Sequence, residues 1–189
     1  MPTQSLMSGL GSIAPAFALP DPIGKLHGLD DFASSPALLV AFICNHCPYV
    51  VHIADAFAAL AREYEAKGLA VVAISANDVG SYPQDGPDKM ADFAKAHGFT
   101  FPYLYDDSQD VARAYQAICT PDLYLFDAAR KLVYRGQFDG TRPNRGTPTG
   151  AGLRAAADAV LAGRAPSAEQ TPSVGCSIKW KPGKAPDWA

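Results

Sequence analysis

The run Ala37-Leu38-Leu39-Val40-Ala41-Phe42, followed at once by Ile43-Cys44-Asn45-His46-Cys47-Pro48, constrains this chain more than any other stretch. The six apolar residues read as a buried central strand. From Tyr49 to Glu65 the period changes, and Ile53, Phe57, Leu60 and Ala61 recur at helical spacing. Two thiols therefore stand between the end of a strand and the start of a helix. Pro48 fits there, because the first helical turn has no use for its missing N–H. A helix N-terminus offers unpaired N–H groups and the positive end of the peptide dipoles, and both favour an anion. On this reading Cys44 is the thiolate, with a pKa brought down from roughly 8.5 toward about 3.5 to 7.5. Cys47, one turn later, closes a disulfide on it. His46, when protonated, adds a positive charge that favours the thiolate and the reduced form, which predicts a more oxidising pair than a Gly-Pro spacer gives.

Zinc is the rival use of a Cys-x-x-Cys, and it normally needs a second ligand pair. Cys119 and Cys176 stand alone and His27, His52 and His97 are scattered, so no metal is assigned and no cofactor is called for. The 189 residues fit one domain, 1–189. With 48% hydrophobic and 19% charged residues the chain reads as a globular protein, not a disordered one. A net charge of -3 without a basic block argues against nucleic acid and anionic membrane as partners. Met1 to Pro15 has no Lys or Arg and no sustained apolar core, and no stretch approaches the ~20 apolar residues of a span. A cytoplasmic location is expected, where four cysteines point to catalysis or redox sensing instead of structural staples.

Along the chain, residues 1–15 read as a loose arm rich in Ser, Gly and Pro. Two short edge strands follow near Ala16–Leu19 and Lys25–Gly28, then a helical turn at Leu29–Phe32. Gly68 ends the helix after the cysteines, and Leu69–Ser75 is an apolar run suited to a parallel strand. Residues 76–87 form a long loop that borders the site, with Asn77 and Asp78 explained more cheaply by turn chemistry than by substrate contact. A helix from Asp88, a strand at 101–105, a brief helix capped by Ser108, a hairpin at 123–136 and a helix near 150–162 complete the pattern. Residues 165–189, with Pro at 166, 172, 182 and 186, read as an ordered tail draped over the domain, whose alternating Val174, Cys176, Ile178 and Trp180 pack inward.

This succession resembles the thioredoxin fold, an α/β architecture with a central mixed sheet flanked by helices, here with short N-terminal strands and an extended C-terminal tail. Ala14-Pro15-Ala16-Phe17-Ala18-Leu19-Pro20-Asp21 is similar to the entry of the alkyl hydroperoxide reductase and thiol-specific antioxidant group. Cys44-Asn45-His46-Cys47-Pro48-Tyr49, Ser75-Ala76-Asn77-Asp78 and Gly175-Cys176-Ser177-Ile178-Lys179-Trp180-Lys181 resemble motifs of its peroxiredoxin-like branch. The resemblance implies that Thr120-Pro121 is the cis-proline step facing the cysteine pair, with the backbone beside Pro121 free to pair with an incoming chain. It also implies Thr120 and Asn45 as substrate contacts. Cys119 and Cys176 then lie near the site, as further redox thiols or as packing residues. Peroxiredoxins proper carry Pro-x-x-x-Thr-x-x-Cys; counting back from Cys44 gives Ala37 and Ala41, and from Cys47 gives Val40 and Cys44.

The leading reading is a thiol-disulfide oxidoreductase in which Cys44 attacks and Cys47 resolves. Its partners are a disulfide-containing protein or small thiol substrate and a thiol reductant. The alternatives are a thiol peroxidase, a copper- or zinc-binding thiol protein using Cys44, Cys47 and a histidine, and a redox-regulated binding module whose tail moves.

Overall fold

The computed structural model describes residues 2–7 and 9–189. In order these form β1 (Thr3–Gln4), β2 (Ala18–Pro20), β3 (Leu26–Gly28), a 3₁₀ turn (Leu29–Phe32), β4 (Ala37–Phe42) and α1 (Pro48–Glu65). Then come β5 (Leu69–Ser75), a second 3₁₀ turn (Pro83–Asp85), α2 (Pro87–His97), β6 (Tyr103–Tyr105), α3 (Asp110–Ala114) and β7 (Cys119–Thr120). The chain continues with β8 (Asp122–Phe126), β9 (Leu132–Arg135), α4 (Ala151–Leu161) and β10 (Val174–Ser177).

The main sheet has the order β6-β5-β4-β8-β9. β4 pairs in parallel with β5 and antiparallel with β8, and every residue of β4 is buried. The sheet is thus mixed, as expected, and its central strand delivers the chain directly into Cys44. Alternation divides β4 between two cores. Leu39 and Ala41 join Ile53, Phe57 and Leu60 of α1 and Leu153 and Ala157 of α4, while Leu38, Val40 and Phe42 pack with Ala112, Tyr115 and Tyr124. Each leucine, isoleucine, valine or phenylalanine among them contributes about 1.5–3 kcal/mol by leaving water. Both ends of the Cys-bearing turn are therefore fixed by packed elements.

Several local expectations shift. The strand expected at 101–105 is cut to Tyr103–Tyr105, since Pro102 has no N–H to give a ladder. The helix expected from Asp88 starts at Pro87, a favoured first-turn residue. Ser108 is not the N-cap of α3: Gln109, at φ 65, holds that place, and Ser108 Oγ accepts from Asp110 N at 3.1 Å.

The larger change concerns the two ends of the chain. The segment expected to lie as a loose arm is paired: Thr3 and Gln4 face Gly175 and Val174, Ser5 N donates to Ser173 O at 2.9 Å, and Ile13 bridges Lys131. The tail is not merely draped, because β10 is inserted between β1 and β7 as the middle strand of a second sheet. Main-chain groups covered by protein must find partners, and a middle strand needs one on each side, which the arm and β7 supply. Beyond β10 the tail is tied down by Lys179 N to Asn77 Oδ1 and Lys181 N to Gln109 Oε1, both at 2.8 Å. Among the described residues no helix is long and apolar enough to cross a membrane.

Candidate active site

β4 ends, Ile43 N still bonds to Ile74 O on β5, and Cys44 follows with its thiol buried. Cys47 is the N-cap of α1 and Pro48 its first residue. The sequence reading put the anion of the helix terminus at Cys44; in the structure the helix opens three residues later, so Cys47 holds that position. The step from Thr120 to Pro121 is cis, as the resemblance implied, and it lies against both sulfurs. Cys44 Sγ is 3.4 Å from Thr120 Oγ1, and Cys47 Sγ is 3.1 Å from Thr120 O.

The two buried thiols titrate as a pair. A hydrogen bond from the Cys44 thiol, with help from Cys176 and the N–H of Val50, brings Cys47 down to about 5. The same bond, burial and the Asp85 carboxylate push the Cys44 thiol well above the ordinary thiol range. The opposed shifts favour one negative charge and one proton on the pair. Two placements of that proton are built in. With the proton on Cys44, the charge sits at the helix N-cap. With it on Cys47, that thiol donates to Thr120 O and Cys44 accepts from the Thr120 hydroxyl.

Asp85, from the second 3₁₀ turn, is fully buried beneath the Asn45-His46 turn. Its Oδ1 accepts from Asn45 N (2.9 Å) and His46 N (3.3 Å), and its Oδ2 accepts from His46 Nδ1 (2.6 Å) and Asn77 Nδ2 (2.8 Å). The long loop thus does border the site, but through a carboxylate that sequence reasoning did not single out. Any positive charge on His46 is matched by this carboxylate, so His46 does not act on Cys44 as an uncompensated cation. The imidazole also stacks on Tyr82, 5.5 Å between centroids and 8° between planes. Asn45 and Thr120, expected as substrate contacts, are engaged within the protein. Asn45 Nδ2 donates to Gln84 O and its Oδ1 accepts from Tyr103 Oη, while Thr120 is buried against the sulfurs.

Cys44, His46 and Asp85 bring one ligand atom each within 4.8 Å of one another. Both Asp85 oxygens already serve four donors, two of them main-chain N–H groups, so the grouping is satisfied as a hydrogen-bonded cluster. Cys119 is buried, its thiol 3.6 Å from Pro121 O, and burial pushes it far above the ordinary thiol range; it packs. Cys176 instead faces the pair from β10. The backbone beside Pro121, expected to be free for an incoming chain, is occupied: Cys176 lies opposite Thr120 and Ser177 opposite Cys119.

Asp85→Asn is expected to cost about 1–3 kcal/mol, because the amide nitrogen that replaces one carboxylate oxygen cannot accept from the two donors bound there. Without the carboxylate charge, Cys44 ionises at lower pH. Alkylation of Cys44 against pH, measured in a Cys47→Ser background, should show the midpoint falling; an unmoved midpoint would disprove the coupling.

Comparison with known proteins agrees with this fold. A structure of a hypothetical protein from Sinorhizobium meliloti 1021 is 53% identical and superposes with a TM-score of 0.94 over 96% of this chain and 100% of its own. A candidate peroxiredoxin of Mycobacterium tuberculosis (strain ATCC 25618 / H37Rv) is 32% identical over 114 residues, 60% of this chain and 68% of its own. A thiol:disulfide interchange protein DsbE assignment from Chlorobium tepidum, at 24% identity, shares the fold with a TM-score of 0.63, over 80% of this chain and 97% of its own. The model of the AhpC/TSA family matches residues 10–135, a span that runs from the end of the N-terminal arm through β4, the cysteine pair, Asp85 and Pro121 to the end of β9. With the thioredoxin fold and a family match over two thirds of its length, this chain belongs to the AhpC/TSA family of redox enzymes.

Proposed function

We propose that this enzyme is a thiol-disulfide oxidoreductase working through the Cys44–Cys47 dithiol. The observation that carries the reading is that two buried cysteine sulfurs, at the end of β4 and at the N-cap of α1, both contact Thr120 beside the cis Pro121. When the proton passes to Cys47, the Cys44 thiolate attacks a substrate disulfide, forming a mixed disulfide and releasing one substrate thiolate. Cys47 then gives up its proton and attacks Cys44 Sγ, which releases the second substrate thiol and leaves a Cys44–Cys47 disulfide. A thiol reductant resets the pair. The place of Cys47 at the helix N-cap supports the second step, since the peptide dipoles there favour the resolving thiolate after Cys44 has entered the mixed disulfide. The substrate is a disulfide-bearing protein or a small disulfide.

Thiol peroxidation is the second reading, favoured by the name of the Mycobacterium tuberculosis relative. In it peroxide oxidises one sulfur of the pair to a sulfenic acid and the other condenses with it. The two readings part on rate: peroxide consumption coupled to a reductant that outruns disulfide reduction would favour the second.

The test of the first is an equilibrium titration in glutathione buffers, quenched by alkylation and mapped by peptide mass, together with trapping. Cys44→Ser should lose turnover entirely. Cys47→Ser should accumulate a mixed disulfide on Cys44, and free turnover by that variant would overturn the roles assigned.

A further inference from the structure

β10 runs along β7, and Ile178 N donates to Ile118 O at 3.0 Å, so the tail fills the main-chain edge that leads into Pro121. This is the line on which an extended polypeptide would pair, and the chain places a thiol of its own there. Cys176 lies opposite Thr120, whose carbonyl oxygen is also the group 3.1 Å from Cys47 Sγ. Cys176 packs against the core cluster that holds Cys44 and Cys47, and its thiol and main-chain N–H help to favour the Cys47 thiolate. The approach is built into the fold. Gly175 has no side chain where a Cβ would stand 1.9 Å from Thr120 O, and Thr3 and Gln4 hold the other side of the strand. Asn77 and Gln109 fix the residues just downstream.

We infer that Cys176 is a third redox cysteine, which takes the disulfide over from Cys44 after turnover has closed the Cys44–Cys47 bond. The inference rests on the dithiol reading above. In this step the Cys176 sulfur, losing its proton, attacks Cys47 Sγ. The Cys47–Cys176 bond forms, the Cys44–Cys47 bond breaks, and Cys44 leaves as a thiolate that takes up the proton. The two oxidising equivalents stay within the protein, so no outside oxidant or reductant takes part. Cys44 returns to its free form while oxidation is held on the tail strand, where the thiol reductant discharges it. Because strand pairing keeps the attacking sulfur beside its target, the exchange is intramolecular and has a high effective concentration.

The test oxidises the full-length wild type and Cys44→Ser with one equivalent of diamide, quenches in acid, alkylates the free thiols and maps linked peptides by mass. Cys44→Ser is expected to carry a Cys47–Cys176 link in most molecules, and Cys44→Ser/Cys119→Ser should do the same. Cys44→Ser/Cys176→Ser should carry none, and the wild type should show both the Cys44–Cys47 and the Cys47–Cys176 links. If the wild type closes Cys44–Cys47 but Cys47 in Cys44→Ser stays free, or pairs with Cys119 or a second molecule, the role of Cys176 is refuted and the dithiol reading stands. If the wild type closes no Cys44–Cys47 bond, the dithiol reading fails and this inference fails with it.

Discussion

Gly175→Ala is expected to lift the tail strand off the active site. A Cβ on residue 175 would stand 1.9 Å from Thr120 O and 2.5 Å from Thr120 C, and both are main-chain atoms that no side-chain rotation can move. Close carbon–oxygen contacts lie at about 3.3–3.6 Å, so β10 must retreat by about 1.5 Å. That breaks the register of Cys176 on Thr120 and the bond from Ile178 N to Ile118 O. Each lost hydrogen bond withdraws about 0.5–1.5 kcal/mol. Two of them, about 1–3 kcal/mol together, raise the population of tail-open molecules by roughly fivefold to a hundredfold, since roughly 1.4 kcal/mol is a factor of ten. Limited proteolysis within residues 165–181 and alkylation of Cys47 should both accelerate by that factor. Gly140→Ala is the control, because nothing lies within 4 Å of its Cβ position, and it should change neither rate. Wild-type protease resistance and wild-type alkylation in Gly175→Ala would show that β10 does not cover the pair.

The part of the site contained in one continuous stretch was legible in the sequence. An apolar run that ends just before Cys44 and a helical period that begins after Pro48 place two thiols between the end of a central strand and a helix terminus without any knowledge of tertiary contacts. Even there, Pro48 at the first helical position already marked Cys47 as the N-cap. The motif as a whole suggested Cys44 for the anion; the structure puts Cys47, not Cys44, at the helix N-cap. Asp85 was not legible. It lies 40 residues from Asn45 in a polar loop, and a lone Asp among Gly, Pro and Gln carries no mark of the four donors it meets. The tail was half legible. Alternation at Val174, Cys176, Ile178 and Trp180 showed that it packs, but main-chain pairing with β1 and β7 leaves almost no side-chain signature. Gly175 inside that alternation was the available signal, since a glycine within a strand often marks a close approach of another backbone.

Behind the site, Arg135→Met is expected to be the most destabilising single change, and its cost should depend on pH. Asp122 follows Pro121 directly and is fully buried at the start of β8. Arg135 on β9 brings Nη2 to 2.7 Å from Gln116 O, 2.7 Å from Tyr124 Oη and 3.4 Å from Asp122 Oδ2, with its guanidinium 4.6 Å from the centre of the Tyr124 ring. Removing one member of a buried ion pair costs about 3–5 kcal/mol, chiefly because the other charge is left without compensation. At 2–4 °C per kcal/mol for a domain of this size, the melting temperature should fall by about 10 °C. Burial pushes Asp122 up to about 6, against the opposing pull of Arg135. A carboxyl whose folded pKa is raised stabilises the fold at low pH and loses that contribution as pH rises through the folded value. Without the guanidinium the pKa rises further, so the variant keeps Asp122 neutral at pH 5 and pays the larger penalty for ionising it, or for holding its proton, at pH 8. Urea unfolding should therefore show the gap between wild type and Arg135→Met widening from pH 5 to pH 8. Adding Asp122→Asn should remove the widening while leaving the loss of the bonds to Gln116 and Tyr124. A gap that is constant with pH would mean that packing of the arginine stem, and not its charge, holds the strand that positions Thr120 and Pro121 over the two sulfurs.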